Sequence, residues 1–344
     1  MTALARTSRD PHRVPTRRRV AFVVVLAAVA LLVTALIGLT VGTKMVELGT
    51  AVDAILRFDG SDLQLVVRES RIPRTVLGLV VGLALGAAGA VMQGLTRNAL
   101  ADPGILGVNA GASVAVAIAV AALGIHDFPH LMAFALIGAL VATIGVVLLG
   151  AAGGGSPVTL VLSGVALAAV LGGITTALVL LNPTAFLQMR SWESGALAGR
   201  DLSILIAAGP MIALGLAVAL LMTRSLDVLA LGDETAAALG VKIGWLRTAA
   251  VVAVTLLAGT ATAIAGPIAF LGLAAPHIAR GVVGASQKAI VPLAAVIGAI
   301  VVVLGDVIGR VIIAPQEVPV GIVMAFVAAP FLIWIGRRRN PVQL

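Results

Sequence analysis

Ten long apolar runs constrain what this chain of 344 residues can fold into. Hydrocarbon offers no water to bond the backbone, so helices, which bond their own backbone groups, are the expected form of such runs. With 60% hydrophobic and 11% charged residues, the chain also lacks the polar surface of a soluble domain. We predict an all-α polytopic membrane protein with about ten transmembrane helices, near residues 20–42, 75–96, 104–124, 129–149, 157–181, 202–222, 246–265, 267–282, 289–313 and 318–336.

Basic residues set the expected orientation. They crowd the two ends of the chain, and with both ends on one side of the membrane, the segments on that side hold 15 of the 23 basic residues. Because cytoplasmic segments carry such an excess, we predict that both termini are cytoplasmic. We call that side inner and the opposite side outer. Basic tails at 1–19 and 337–344 then flank a transmembrane domain at 20–336, whose first run of 23 residues is longer than a signal-peptide core.

The sequence carries no motif for catalysis or nucleotide binding. The string nearest to a phosphate-binding loop, "GLTVGTK", has the wrong spacing, and no H-E-x-x-H or G-x-S-x-G motif occurs. His126 and His130 flank Pro129 in a short loop, which favours a solvated loop over a metal site. The net charge is +8, but the basic residues are not interleaved with aromatic residues as they are in a nucleic-acid-binding surface. We expect no enzyme, cofactor, metal or nucleic-acid partner, and any ATP energy must come from another protein.

One inner segment, at about 226–244, interrupts the apolar pattern with "LGDETAAALGVK". Acids in a first turn, alanines within and a glycine at the end predict a short helix with a defined stop. Two interpretations stay open, a plain polar loop and a helix that docks on a partner protein. The candidate docking residues are Leu231, Gly232, Asp233, Glu234, Thr235, Ala238, Leu239, Gly240 and Val241.

Arg71 and Arg74 stand at the start of the second run, on the outer side, against the usual charge bias. They also lie near the positive end of the predicted helix dipole, and their spacing puts them on one face. Either they reach lipid headgroups or they present guanidinium groups to carboxylates on another protein. Arg310, at the outer end of the ninth run, has the same two interpretations.

Asp306 is the acid expected inside the bilayer, with Arg310 four residues later on the same helix face. An intramembrane carboxylate raises the possibility of a proton-coupled secondary transporter. The basic neighbour favours a structural ion pair between Asp306 and Arg310 near the outer interface. The transporter alternative stays open.

Four motifs in this chain resemble, in order, those of the FecCD family of ABC-importer permeases, which carry iron-siderophores, haem and cobalamin. They are "RIPRT" with "LTRNALADPGILGVNAGA", then "LGDETAAALGV", "GPIAFLGLAAPHIAR" and "GDVIGRVIIAPQEVPVG". The resemblance runs from about Arg71 to the C-terminus. Many relatives have Pro where Ala99 stands and Glu where Asp233 stands. The first motifs are most similar to ferric catecholate-siderophore permeases; haem and cobalamin remain alternatives.

The resemblance implies a bacterial cell membrane, a cobalamin-importer-like permease fold and a set of partners. Two permease subunits, alike or different, pair around a path, and two ATPase subunits that hold ATP and Mg bind beneath them. The segment at 226–244 would be the coupling segment that docks on the ATPase. Arginines like Arg71, Arg74 and Arg310 would meet acids on an extracytoplasmic binding protein that delivers the ferric siderophore.

The fifth and eighth runs are expected to line the path, because small and weakly polar residues suit a conduit without a tight internal site. The resemblance implies a central path between two permease subunits, and the composition of these two runs suggests its lining. The residues are Ser163, Thr175, Thr176, Gly266, Pro267 and Phe270.

Overall fold

The computed structural model describes residues 17–154 and 156–337, and within them the regular structure is entirely helical. The predicted tails at 1–19 and 337–344 lie outside the described residues except for 17–19 and 337. The α-helices are α1 Arg17–Thr40, α2 Leu48–Leu56, α3 Asp62–Val66, α4 Ile72–Thr96, α5 Val108–Leu123, α6 Phe128–Ala152, α7 Pro157–Leu181, α8 Pro183–Glu193, α9 Ile204–Leu221, α10 Thr223–Leu229, α11 Asp233–Ala238, α12 Ile243–Val254, α13 Thr260–Ala265, α14 Leu271–Val283, α15 Gln287–Val311 and α16 Val320–Gly336.

All ten predicted runs are helical. Among the described residues, seven helical stretches are long and apolar enough to cross a bilayer, and three shorter apolar helices, in α5, α14 and α16, complete the ten. One of the seven joins α12 and α13 through a π-helical turn, Thr255–Gly259. The all-α polytopic fold is therefore confirmed.

Two of the short helices begin later than predicted. The α5 helix starts at Val108 instead of 104, and α14 starts at Leu271 instead of 267. At about 1.5 Å per residue, 16 and 13 residues fall short of a hydrocarbon core of about 30 Å. Non-helical backbone at membrane depth is tolerated where protein covers it, and the Pro103–Leu106 turn before α5 packs against Gly272 of α14.

The α4 helix is the centre of the bundle. A Cβ added at Gly82 would lie 2.3 Å from the Gly298 carbonyl oxygen, and one at Gly86 would lie 2.1 Å from the Ala294 carbonyl oxygen. The glycine face of α4 therefore touches the backbone of α15 directly, as small residues allow between membrane helices. This packing fixes α4 and α15 as one unit.

The outer end of α4 is longer than predicted. A π-helical turn, Val67–Arg71, joins α3 to α4 in a continuous helical run, Asp62–Thr96, of 35 residues. The sequence predicts a start near 75, because Pro73 and the two arginines look like a helix beginning. In the structure Pro73 lies inside the helical run, because the residues before it, from Asp62 onward, are also helical.

The α7 helix has few buried residues. Only 11% of its apolar window is buried in the chain, against 78% for the run that contains α4. Its side chains therefore face lipid or another protein subunit.

Candidate functional site

The inner segment at 226–244 contains the predicted short helix. The α11 helix begins after Gly232, which adopts a φ of 104°, and no side chain caps its start. At its end the Gly240 amide donates to the Ala237 carbonyl (3.0 Å) and the Val241 amide to the Ala236 carbonyl (2.9 Å). These two bonds form a Schellman motif, and Gly240 has the positive φ, 87°, that the motif requires.

Asp233 ties α11 to two transmembrane helices. Its carboxylate forms an ion pair with Arg97, just after α4, at 2.8 Å. It also accepts a hydrogen bond from Arg247, in the first turns of α12, at 2.9 Å. All three side chains are between 35% and 41% exposed, so each pair by itself contributes little to stability. Together the two contacts link the start of α11 to the inner ends of α4 and α12.

The outward face of the segment is open. Leu231 and Leu239 each expose 63% of their surface, and Trp245 exposes 74%. Glu234, Thr235 and Ala238 are exposed around them, whereas Ala236 is buried against the bundle. Apolar side chains clustered beside acids are typical of a surface that binds another protein.

The outer charge cluster consists of Arg71, Arg74, Arg310, Asp306 and Glu317. Asp306 lies at its centre with 1% of its side chain exposed. Arg74 donates to both of its oxygens, at 2.8 and 2.9 Å, and Arg310 donates through Nε at 2.9 Å. The Asp306–Arg310 ion pair is thus present in the structure. Asp306 also bonds Arg74, and this second contact joins α15 to α4.

The three arginines of the cluster also have partners other than Asp306. Arg74 pairs with Glu317, which is 34% exposed, and Arg71 donates to the carbonyl oxygens of Leu39 and Lys44. Arg310 donates to the Gly38 carbonyl at 2.9 Å. These bonds fix the ends of α1, α4 and α15 against each other.

The docking role predicted for Arg71, Arg74 and Arg310 stays a prediction. In this single chain their side chains are buried, with 4%, 6% and 3% of their surface exposed. The physical reason is the length of the outer helix: Arg71 and Arg74 lie within the run Asp62–Thr96, not at its exposed start. Their side chains turn into the bundle, where carboxylates and carbonyls bond them.

The predicted path residues occupy two separate elements. Ser163, Thr175 and Thr176 lie on α7, where the two threonine hydroxyls donate to carbonyls four residues earlier at 2.9 Å. Thr176 is exposed, Ser163 is partly exposed and Thr175 is buried. None of these contacts shows which face of α7 a cargo would touch, so the α7 part of the path stays a prediction.

The second set lies in the turn between α13 and α14. Gly266 adopts a φ of 77°, and a Cβ there would lie 2.1 Å from the Trp192 carbonyl oxygen. Pro267 follows it, and Phe270 has a positive φ of 76° and packs edge-on against Phe331, with ring centroids 5.2 Å apart. This turn is rigidly packed. Its place along a path also stays a prediction.

The histidines of the outer loop have separate partners. His126 bonds the Gln188 side chain at 2.8 Å, and His130 bonds Asp127, the N-cap of α6. The hydrogen bond from His130 holds the pKa of the Asp127 carboxyl below its ordinary value. No group of three possible metal ligands occurs in the residues that the structure describes.

Three residues of these sites were missed by sequence reasoning. Arg97 and Arg247 count in the sequence only toward membrane orientation, and Glu317 has no assigned role. Arg247 lies 14 residues after its partner Asp233, and Glu317 lies 243 residues from Arg74. Neither spacing has a local periodicity that would have revealed the contact.

Comparison with known proteins places these features in context. The model of the FecCD transport family matches residues 30–338. The chain is 44% identical over 313 residues to the ferric enterobactin transport system permease protein FepD of Escherichia coli, which covers 90% of this chain and 93% of that protein. It is 37% identical over 302 residues to the Fe(3+)-citrate import system permease protein YfmD of Bacillus subtilis, covering 88% and 90%.

A solved structure has the same architecture. It is an inward-facing conformation of a metal-chelate type ABC transporter, with a TM-score of 0.80 and 26% identity. The alignment covers 93% of this chain and 99% of that one. The similarity therefore extends over the whole bundle.

Proposed function

Because this chain belongs to the FecCD transport family, we propose that it is the membrane-spanning permease subunit of an ATP-driven importer for a ferric siderophore. The observation that carries the proposal is the 44% identity to a ferric enterobactin permease over 90% of the chain. The chain is a multi-pass membrane protein of a transport family and not an enzyme. Its cargo moves from an extracytoplasmic binding protein into the cytoplasm.

The cargo is a ferric catecholate siderophore. The relative named for ferric enterobactin is more similar to this chain, at 44%, than the one named for ferric citrate, at 37%. Haem and cobalamin are the competing cargoes. They are distinguished by the uptake experiment below.

The coupling segment, residues 226–244, docks in a groove of an ATPase subunit. Exposed Leu231 and Leu239 provide apolar contact, and the Schellman stop at Gly240 keeps α11 short and defined. ATP and Mg bind on that partner, because this sequence has no phosphate-binding loop. Two ATPases and a second permease subunit complete the transporter.

Motion passes from the ATPase to the spans through Asp233. Its bonds to Arg97 and Arg247 connect α11 to the inner ends of α4 and α12. Since α4 touches the α15 backbone at its glycines, a tilt of α4 carries α15 with it. The outer charge cluster holds the opposite ends of α1, α4 and α15 together, so the spans move as a body.

An uptake experiment tests the cargo. The chain is expressed with its co-encoded partners in cells that lack siderophore permeases, and accumulation of iron-55 is measured with a ferric catecholate. Excess unlabelled ferric catecholate should compete fully, whereas ferric hydroxamate, haem and cobalamin should not. Full competition by haem or cobalamin would contradict the proposed cargo and leave the importer class intact.

A further inference from the structure

A groove of about 380 Å³ opens on the inner half of the bundle, between the last turns of α4 and α6 and the first turns of α7 and α12. It lies beside the coupling segment, because Arg247 both lines the groove and bonds Asp233. No role assigned above to any residue requires this cavity.

The lining of the groove changes character along its length. Its deeper part is apolar, from Ile144 on α6 and Val251 on α12. Its inner end carries the polar groups, which are Thr96 at the end of α4, Ser156 at the N-cap of α7, and Arg247 with Thr248 in the first turns of α12. A molecule that fits both parts has an apolar body and a polar end.

Several residues that line the groove are exposed on the flank of this chain. Among its lining residues Leu148 exposes 65% of its surface, Ile144 49% and Val252 44%, and all of them belong to membrane-spanning helices. In a bilayer these side chains meet acyl chains. A water-soluble cargo would not enter from this direction.

The charge at the inner end is positive. Arg97 and Arg247 share the single carboxylate of Asp233, so the three side chains together carry one net positive charge. Arg247 keeps 41% of its side chain exposed at this end. A phosphate group complements this end in charge and in hydrogen-bonding geometry.

We propose that this groove binds one anionic phospholipid of the inner leaflet, with an acyl chain against Ile144 and Val251 and the headgroup phosphate on Arg247. The apolar and charged ends of the groove are arranged in the order in which a lipid of that leaflet presents its chain and headgroup. Basic residues at this depth attract anionic headgroups in general, and the cavity adds a place for the chain.

The site also bears on coupling, and this consequence rests on the proposed function. Arg247 would bridge the lipid phosphate and Asp233, so the bound lipid would hold the inner end of α12 and the start of α11 in one arrangement. Anionic lipid should therefore raise ATP hydrolysis stimulated by the cargo-loaded binding protein.

Lipid retention tests the site without reference to transport. The complete transporter is purified from bilayers that contain phosphatidylglycerol and phosphatidylcholine in equal amounts, and lipids that stay bound are counted by native mass spectrometry. Phosphatidylglycerol should be retained in preference to phosphatidylcholine. Arg247→Gln should lower that preference about fivefold, the contribution of one arginine near an anionic surface.

Two further variants make the result specific. Ala151→Trp places an indole in the groove from an exposed position on α6, leaves Arg247 in place and should abolish retention. Arg224→Gln removes an exposed arginine of α10 outside the groove and should retain lipid like the unaltered chain. Size-exclusion profiles identify any variant that fails to assemble.

The outcomes separate the claims. Equal retention of the two lipids, undiminished retention in Ala151→Trp, or equal losses in Arg224→Gln and Arg247→Gln would overturn the site. Selective retention with ATP hydrolysis that is indifferent to phosphatidylglycerol would refute the effect on coupling and leave the site standing. Failure of cargo uptake alone would count against the proposed function and not against the lipid site.

Discussion

Asp306→Asn tests what the outer charge cluster does. Asp306 exposes 1% of its side chain and accepts bonds from Arg74 at 2.8 and 2.9 Å and from Arg310 at 2.9 Å. Asparagine has nearly the same volume, but it lacks the negative charge and replaces one acceptor with a donor. Two buried guanidinium groups then lose the carboxylate that they share.

The expected cost is large. Removing one partner of a buried ionic set destabilises a protein by about 3–5 kcal/mol. At about 1.4 kcal/mol per tenfold change, the ratio of folded to unfolded protein falls by a factor of about 10² to 10⁴. We expect low abundance in the membrane and a lower melting midpoint in detergent micelles, measured by size-exclusion chromatography after heating.

Two comparisons make the test sharp. Asp53→Asn changes an exposed acid of α2 and should leave abundance and midpoint unchanged. Combining Asp306→Leu with Arg74→Met and Arg310→Met removes the buried carboxylate together with both arginines that bond it. This variant should recover most of the lost stability, because apolar replacement of a buried ionic set is often neutral. Normal abundance of Asp306→Asn together with abolished, pH-dependent uptake would refute this account and favour a proton-carrying role.

Three other substitutions test the coupling segment and the helix packing. Ala237→Pro should break α11 at a local cost of about 3 kcal/mol, so that the ATPase no longer co-purifies. The control Ala237→Ser should still co-purify with the ATPase. Full co-purification of the proline variant would mean that the ATPase docks elsewhere. Gly240→Val forces a side chain into a φ of 87°, at about 1–2 kcal/mol, and should weaken co-purification less than the proline does. Gly86→Val places atoms within 2.1 Å of the Ala294 carbonyl oxygen and should lower the melting midpoint, whereas Gly281→Val, in open space, should not; equal midpoints would contradict the close α4–α15 contact.

The spans were predictable from the sequence because membrane helices depend on a local property. A run of apolar residues must be helical in hydrocarbon, whichever neighbours it has. The stop at Gly240 was predictable for a similar reason, since a glycine after a short alanine-rich helix satisfies the last carbonyls within a few residues. The late starts of α5 and α14 were not, because they depend on neighbouring helices that cover the non-helical backbone before them.

The fate of the arginines depends on distant residues. Arg74 and Asp306 are 232 residues apart, and no spacing in the sequence indicates that they meet. The sequence does suggest that Arg71 and Arg74 begin a helix, and from there an exposed, partner-facing role follows. The structure continues the helix outward to Asp62 and thereby encloses both side chains. The partners of Asp233 could not be predicted from the sequence either, because Arg97 and Arg247 meet it only when the inner ends of α4 and α12 lie side by side.

Energy dependence of transport tests the central claim most directly. The chain is reconstituted in proteoliposomes with a second permease subunit and the ATPase subunits. Binding protein and iron-55 ferric catecholate are on the outer side, and ATP is sealed inside. Accumulation should require ATP and Mg, persist with a protonophore, and disappear with Ala237→Pro in the coupling segment. Accumulation driven by a proton gradient without ATP would contradict the account, because the chain would then transport by itself.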